Sequence, residues 1–332
     1  MSYNISIVGA TGAVGRQLLE SLYKRNFPFE NITLLASKKS EGKKIIFKED
    51  EYEVKNLESY DFKDSDIAFF SAGSEVSKVF APEAEKKECY VIDNTSCFRM
   101  NKDIPLIVPE INEKELLESK RKIIANPNCS TIQMLVALAP IHKISKIKRI
   151  VVSTYQSVSG AGQSAIDELK EQTENLLEQK NILIKNIPKQ IAFNVVPQID
   201  IFLDNGFTKE EIKMVNETNK ILDPNISVNA TCVRVSTEIG HAESVYFELE
   251  NNINVELIKT ALKNKKEIIF SDIEYHTPID CCGNDEVYVS RLRKDLVKQN
   301  GFNIWVVSDN LLKGAALNSV QIAESLIKLG KV

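Results

Sequence analysis

Two stretches of this chain carry residue types that could do chemistry: a cysteine at a strand-to-helix turn and a run of glycines near the start. The cysteine stands in Ala125-Asn126-Pro127-Asn128-Cys129-Ser130-Thr131, between apolar runs at 122–125 and 132–139. An extended run, a proline that ends it and a Ser/Thr pair before a Leu/Ala-rich segment read as strand, tight turn and helix start. At a helix N-terminus, unpaired N–H groups and the positive end of the macrodipole favour a thiolate, the nucleophilic form of cysteine. The competing reading is a buried, inert thiol.

The glycines follow the apolar run Tyr3-Asn4-Ile5-Ser6-Ile7-Val8. They stand in Gly9-Ala10-Thr11-Gly12-Ala13-Val14-Gly15, and Arg16-Gln17-Leu18-Leu19-Glu20-Ser21-Leu22 continues at helical spacing. Strand, glycine turn and helix in that order form a dinucleotide-binding opening, in which backbone approaches a pyrophosphate that rests on the helix N-terminus. The spacing is GxxGxxG. The second strand, Ile32-Thr33-Leu34-Leu35-Ala36, ends in Ser37-Lys38-Lys39-Ser40. No Asp or Glu stands within these four residues to accept from a ribose 2′-hydroxyl, whereas hydroxyls and cations suit a 2′-phosphate, so the cofactor expected is NADP. The alternative is that these lysines only face water.

A cysteine nucleophile beside a nicotinamide site points to thioester chemistry. The thiolate adds to an aldehyde, hydride leaves, and a second nucleophile releases the acyl group; in reverse, an activated acid becomes an aldehyde. Such chemistry uses a proton carrier, and the chain has three histidines, His142, His241 and His276. His142 follows the apolar helix directly, and His276 lies in Tyr275-His276-Thr277-Pro278, which reads as a surface turn. His241, in Thr237-Glu238-Ile239-Gly240-His241-Ala242-Glu243, reads as part of a glycine-hinged loop between strands and is the best candidate. Gln156 ends a β-rich run beside Ser157-Val158-Ser159-Gly160-Ala161-Gly162, where backbone could approach a ligand. Arg99, close to the end of the strand Tyr90-Val91-Ile92-Asp93-Asn94, reads either as an anion grip or as a surface arginine. Thr208-Lys209-Glu210-Glu211 opens a helix with a capping-box pattern, and Glu210 and Lys213 share a face at i, i+3, where they could pair with each other.

The elements that must position these residues fall into two patterns. Strands and helices alternate up to the cysteine, including Ile67-Ala68-Phe69-Phe70-Ser71-Ala72-Gly73 and a helix at 75–87. That pattern predicts a doubly wound parallel sheet with ligands at the carboxyl ends of its strands. Beyond Cys129, β-rich runs at 148–156, 229–236, 244–250 and 303–308 mix with helices. This predicts a second, α+β domain at 128–311. A helix within 312–332 is expected to return to the first domain, 1–127.

A chain of 332 residues has ample core without disulfides. Its six cysteines show no CxxC spacing, so no metal site is expected, and Cys281-Cys282 reads as a pair of small residues. A net charge of -4 gives no reason to expect nucleic acid or membrane as partner. No apolar run approaches the roughly 18 residues of a membrane span, and no signal-peptide pattern is seen, so a cytoplasmic protein is expected.

Taken together and in order, the glycine motif, Asp93-Asn94-Thr95-Ser96-Cys97-Phe98-Arg99-Met100, Asn126 to Thr131, Tyr155 to Gly162, Glu210-Glu211-Ile212-Lys213, Arg234 to His241, and Asn318 resemble the bacterial aspartate-semialdehyde dehydrogenases nearly end to end. The resemblance implies a Rossmann-type NADP-binding domain followed by a catalytic and dimerisation domain. It implies that Cys129 carries the acyl group, Gln156 orients the intermediate and His241 is the acid/base. Arg234 would hold the substrate carboxylate and Glu210 its amino group, while Arg99, Asn128 and Lys213 would bind phosphate. Gly9, Thr11, Gly12, Ala13, Val14, Ser37, Ser40, Gly73, Ser159, Gly160 and Asn318 would hold NADP. The implied reaction is the reversible conversion of L-4-aspartyl phosphate and NADPH to L-aspartate 4-semialdehyde, NADP and phosphate, on the route to lysine, threonine and methionine. A homodimer or tetramer is implied as well. Two departures from the family pattern are Thr95-Ser96-Cys97, where Ser-Ser-Ala is commoner, and Lys38-Lys39, where an arginine is frequent. Malonyl-CoA reductase, which shares the thioester logic, is the nearest alternative. A non-catalytic homologue is disfavoured by the joint presence of Cys129, Gln156 and His241.

Overall fold

Tyr3–Val8 (β1) is a nearly continuous apolar run buried on both faces, as the central strand of a parallel sheet must be. The computed structural model, which describes residues 2–48 and 50–332, divides the chain into two units, Met1–Asn128 with Ala315–Val332, and Cys129–Gly314. In the first, β1 leads through the glycine turn into α1 (Ala13–Lys24), whose Leu18, Leu19 and Leu22 form the buried stripe. β2 (Phe29–Ala36) runs parallel to β1, with Ile5 opposite Ile32. A hairpin follows, β3 (Lys44–Phe47) and β4 (Asp50–Asn56), which had not been expected from the sequence because its apolar residues are few among charges. Then come β5 (Ile67–Phe70), α2 (Ser74–Lys86), β6 (Tyr90–Asp93), the single turns α3 (Pro109–Asn112) and α4 (Glu115–Glu118), and β7 (Ile123–Ala125).

The strand order is β3-β4-β2-β1-β5-β6-β7, parallel throughout except for edge strand β3. The chain order reverses at β1, beside the glycine turn, and such a switch point opens a crevice at the strands' carboxyl ends. The C-terminal helix, Leu317–Lys328, belongs to this unit. It buries Val320, Ile322, Ala323 and Leu326 in the same core as α1, and Arg25 of the α1 terminus grips Glu324 at 2.6 Å.

The second unit opens with α5 (Cys129–Ile144), buried along almost its whole length and apolar all round, as a helix enclosed in a core should be. It lies on one face of a seven-stranded mixed sheet. The sheet is built from β8 (Ile147–Gln156), β9 (Val195–Val196), β10 (Ser227–Val235), β11 (His241–Leu249), β12 (Ile268–Ser271), β13 (Val287–Lys294) and β14 (Gly301–Ser308). Its helices are α6 (Gln163–Leu177), α7 (Lys209–Ile221), α8 (Val255–Lys263) and the one-turn α9 (Pro278–Cys281). The order is β12-β13-β14-β11-β8-β10-β9. β8 and β10 are parallel neighbours, while β11 runs antiparallel to both β8 and β14. One expectation is corrected here. His241 is the first residue of β11 and pairs with Ser308, because the strand begins directly after Gly240, whose φ of +92° turns the chain. The last helix, α10 (Leu317–Lys328), is preceded by a π-helical turn at Leu312–Ala316.

Among the described residues no helix is long and apolar enough to cross a membrane, and no cluster of His, Cys, Asp or Glu could hold a metal ion.

Candidate active site

Strand alternation places even residues of β8, β10 and β14 and odd residues of β11 on the face covered by α5. Arg234 therefore stands opposite Gln156, and His241 opposite Ser308, which brings Arg234, Gln156, His241 and Ser308 into one row across four strands. A second row lies directly beneath, with Cys232 opposite Thr154 and Thr154 opposite Glu243. Residues far apart in sequence thus meet because the sheet's register aligns them.

The row is buried and tightly bonded. The Arg234 guanidinium donates from Nη1 to the Ser157 carbonyl at 2.7 Å. Gln156 donates from Nε2 to Glu210 Oε1 at 3.2 Å and accepts at Oε1 from the Thr154 hydroxyl at 3.1 Å, so its amide orientation is set from both sides. Glu210 comes from α7, whose start is fixed by the capping box of Thr208 and Glu211. The second oxygen of Glu210 meets Lys213 Nζ at 3.1 Å, and Lys213 also donates to Asp200 at 2.9 Å. Burial acts to lower the Lys213 ammonium, but Glu210 and Asp200 outweigh it and hold Lys213 above its ordinary value.

His241 is fully buried, and its imidazole is pushed down to about 3, first by burial and then by the Arg234 charge. Its Nδ1 lies 3.1 Å from the Ser157 backbone nitrogen and 3.1 Å from the Ser157 hydroxyl, while its Nε2 is buried without a partner. Gly160 explains the space beside it. A Cβ there would sit 2.9 Å from Arg234 Nη1 and 3.4 Å from His241 Nε2, so glycine leaves room between imidazole and guanidinium. Cys129 is the first residue of α5 and lies near enough to Arg234 for their charges to interact. Gly314 passes so close that a Cβ would come within 2.7 Å of the Cys129 Cβ. Beneath the row, burial raises the Glu243 carboxyl well above its ordinary range.

Within this unit the structure brings together Cys129, Gln156, Gly160, Glu210, Lys213, Arg234 and His241, with Ser159 adjacent through hydrogen bonds to Asn310 and Ser157. Lys213 is already engaged by two carboxylates. Sequence reasoning missed Asn310, Gly314 and Thr154. Asn310 carried one signal, an Asp-Asn pair just past a strand's end, and Thr154 carried none beyond lying two residues before Gln156.

The remaining residues lie in the first unit. Gly9 has φ +87°, and a Cβ on it would approach Ala72 N and the Ser71 carbonyl carbon at 2.9 Å. Gly12 N–H closes the turn on the Gly9 carbonyl at 3.0 Å, and Gly12 caps α1, placing Thr11, Ala13 and Val14 at the helix start. This is a cradle made of main chain, and it fits a pyrophosphate. Gly73 caps α2 with φ +96° and open space above it. Ser37 and Ser40 bracket a short 3₁₀ turn in which Ser37, Lys38 and Lys39 are exposed. Asn318 is buried, and its Nδ2 donates to the Ile107 carbonyl at 3.0 Å and to Asn126 Oδ1 at 2.7 Å. Arg99 is nearly buried and donates from Nη2 to the Asn94 carbonyl at 2.8 Å, and Asn128 is also buried.

Each of the two units matches a known family model. Residues 4–119 match the family model described as semialdehyde dehydrogenase, NAD binding domain, and residues 138–313 match semialdehyde dehydrogenase, dimerisation domain. The chain is 52% identical to an aspartate-semialdehyde dehydrogenase of Aquifex aeolicus over 100% of both chains. It is 51% identical to that of Bacillus subtilis over 99% of both. The crystal structure of aspartate semialdehyde dehydrogenase II from Vibrio cholerae complexed with ASA superposes with a TM-score of 0.97, at 50% identity over 99% of both chains. The first unit thus carries a nicotinamide-cofactor domain and the second the family's dimerisation domain, and the chain belongs to the aspartate-semialdehyde dehydrogenase family.

Proposed function

We propose that this protein interconverts L-aspartate 4-semialdehyde and L-4-aspartyl phosphate, with NADP as cofactor and phosphate as co-substrate. The observation that carries the reading is the buried row of Arg234, Gln156 and His241 beside Glu210, under a helix that starts at Cys129. A small amino acid with an aldehyde at one end needs these groups: a cation for its carboxylate, an anion for its ammonium, a nucleophile for its carbonyl and a proton carrier.

In this reading Cys129 sulfur attacks the aldehyde carbon, assisted by the N-terminus of α5. Gln156, held by Glu210 and Thr154, orients the adduct, and His241 handles the proton at its oxygen. When bound, the nicotinamide supplies a hydride acceptor, and the acyl group stays on Cys129 as a thioester. Phosphate oxygen then attacks that carbonyl and the sulfur leaves as thiolate. Arg234 is assigned to the substrate carboxylate, since its fork matches two oxygens, and Glu210 to the amino group. Arg99, Asn128 and Lys213 are assigned to phosphate, and Lys213 can serve there only by sharing its ammonium with Asp200 and Glu210.

For the cofactor, the main-chain cradle of Gly9 to Val14 takes the pyrophosphate. Ser37 and Ser40, with Lys38 and Lys39 between them and no acidic residue before Glu41, favour a 2′-phosphate and hence NADP. Gly73, Ser159, Gly160 and Asn318 complete the set, Asn318 by bracing the strand ends through Asn126. Residues 1–127 with 312–332 form the NADP domain, and 128–311 the catalytic and dimerisation domain. A homodimer or tetramer suits the sheet face opposite α5, where Tyr155 is exposed and packs against Trp305. The place proposed is the cytoplasm, on the route to lysine, threonine and methionine.

The test is NADPH formation by purified protein. NADPH should appear only when semialdehyde and phosphate are both supplied, and absence of turnover across pH would sink the reading. Faster reduction of malonyl-CoA than of aspartyl phosphate would favour the alternative.

A further inference from the structure

His241 meets its neighbours with a polarity opposite to that of the familiar catalytic histidine. In a Ser-His-Asp triad the ring's Nδ1–H donates to a carboxylate, which stabilises the imidazolium. Here the Ser157 backbone N–H points at Nδ1 from 3.1 Å. A backbone N–H can only donate, so Nδ1 must keep its lone pair and the proton of the neutral ring resides on Nε2. Nε2 is the atom that has no partner and faces the space left by Gly160. Protonating Nδ1 would set one N–H against another.

What holds Ser157 and the ring in this arrangement is Asn310, which follows β14. The Gly240 N–H donates to its Oδ1 at 2.8 Å, and because that group too can only donate, the amide's orientation is fixed. The same oxygen lies 3.1 Å from the Ser157 hydroxyl, which also lies 3.1 Å from His241 Nδ1 and can donate to either, and Asn310 Nδ2 donates to Ser159 Oγ at 2.9 Å. One side chain thus ties down the residue before the imidazole, the residue whose N–H caps Nδ1, and the next turn of the same loop. The Gly240 carbonyl is the one group of this loop that favours the protonated ring, and it is outweighed by burial and Arg234.

We propose that Asn310 is a positioning residue that, through Ser157 and Gly240, fixes His241 as the neutral Nε2–H tautomer, so that the ring serves as a hydrogen-bond donor to the substrate oxygen. The inference rests on the function proposed above and narrows it. The Cys129 thiol loses its proton to solvent, the thiolate being favoured at the start of α5; as its sulfur bonds to the carbonyl carbon, the π pair moves onto oxygen and is met by Nε2–H. When hydride leaves, the carbonyl re-forms and the ring keeps its proton. The resting site is then not a thiolate–imidazolium pair. The charged groups facing the ring are Arg234 from β10 and Glu210 from α7, with Cys129 of α5 beside Arg234.

The experiment is ¹⁵N NMR of the full chain labelled at histidine, which has three such rings; a His241→Asn variant assigns the signal. The unaltered protein should show the Nε2–H tautomer from about pH 8 down to about pH 5 without imidazolium, well below the ordinary His midpoint of about 6.5. Asn310→Ala should mix the tautomers and lower kcat by about 10- to 100-fold with KM for the semialdehyde little changed, the size seen when an orienting partner is removed. Ser157→Ala keeps the backbone N–H and should keep the tautomer. An imidazolium or an Nδ1–H ring at neutral pH overturns the proposal, as does an Asn310→Ala protein that retains both tautomer and kcat. If Asn310→Ala fails to fold, the unaltered protein and Ser157→Ala still decide. The spectra need no turnover, so failure of the proposed reaction is recognised separately.

Discussion

The two seven-stranded sheets end in different materials. At the carboxyl ends of the first, the chain offers main chain: Gly9 and Gly73 at positive φ, the Gly12 to Gly9 turn, and helix starts with little side chain above them. On the covered face of the second, it offers side chains: Arg234, Gln156, His241 and Ser308 in one register row, braced by Glu210, Thr154 and Asn310. A pyrophosphate carries diffuse charge that many N–H dipoles can share, so backbone suffices for it. A reacting carbonyl needs one acid, one nucleophile and one cation at defined atoms, and only side chains locked by a second layer can supply that.

Substitutions in the second sheet's row should therefore cost turnover steeply. His241→Asn is expected to slow turnover by roughly 10²–10³, the usual cost of removing one hydrogen-bond donor to a developing oxyanion, while Cys129 remains open to alkylation. A loss below about 10-fold would remove the side-chain half of the comparison. Arg234→Lys keeps the charge but loses the fork, and at about 1.5–3 kcal/mol per charged hydrogen bond kcat/KM for the semialdehyde should fall by roughly 10- to 150-fold. KM for phosphate should hardly move; an equal effect on both would point to one shared anion site.

This contrast also explains what could be read from the sequence. Main-chain sites leave a local signature, and Gly9, Gly12 and the missing acid after Ala36 announced the cofactor domain within a few residues. The candidate site joins positions 156, 234, 241 and 308 through strand pairing, which no spacing encodes, and Cys129 stood out only because a helix begins there. The sequence misplaced His241 in a loop, since Gly240 looks like a hinge, whereas pairing with Ser308 makes it a strand residue. Asn310 carried only a weak local signal because its partners Ser157, Ser159 and Gly240 lie far away in sequence, and Thr154 carried none because a threonine two residues before a glutamine is unremarkable. The hairpin β3–β4 was missed because its few apolar residues are set among lysines and glutamates.

The first sheet should respond more gently and in binding. Ser37→Asp places a carboxylate where a 2′-phosphate is proposed, and about 1 kcal/mol of repulsion at an exposed site should shift the NADP/NAD ratio of kcat/KM by about 5-fold toward NAD. Equal use of both cofactors by the unaltered protein would show that this loop does not select. The effect expected beneath the row is in stability alone. Glu243 has its carboxyl raised by burial, so the folded state holds a proton that the unfolded chain releases above about pH 4.3. Stability from this group is therefore full below that pH and declines as pH rises toward its folded value. Glu243→Gln should raise the melting temperature at pH 7, by about 1–3 kcal/mol in stability, and leave it nearly unchanged at pH 4. A destabilised variant at pH 7 would mean that the carboxyl is ionised and paired.

Whether the row acts on an acyl group carried by Cys129 is tested by mixing the protein with semialdehyde and NADP in the absence of phosphate. A burst of about one NADPH per subunit is expected, the mark of a covalent intermediate, with the acyl mass found on the peptide containing Cys129 and released on adding phosphate. A burst that survives in Cys129→Ala, or an acyl group mapped to any other cysteine, would contradict it.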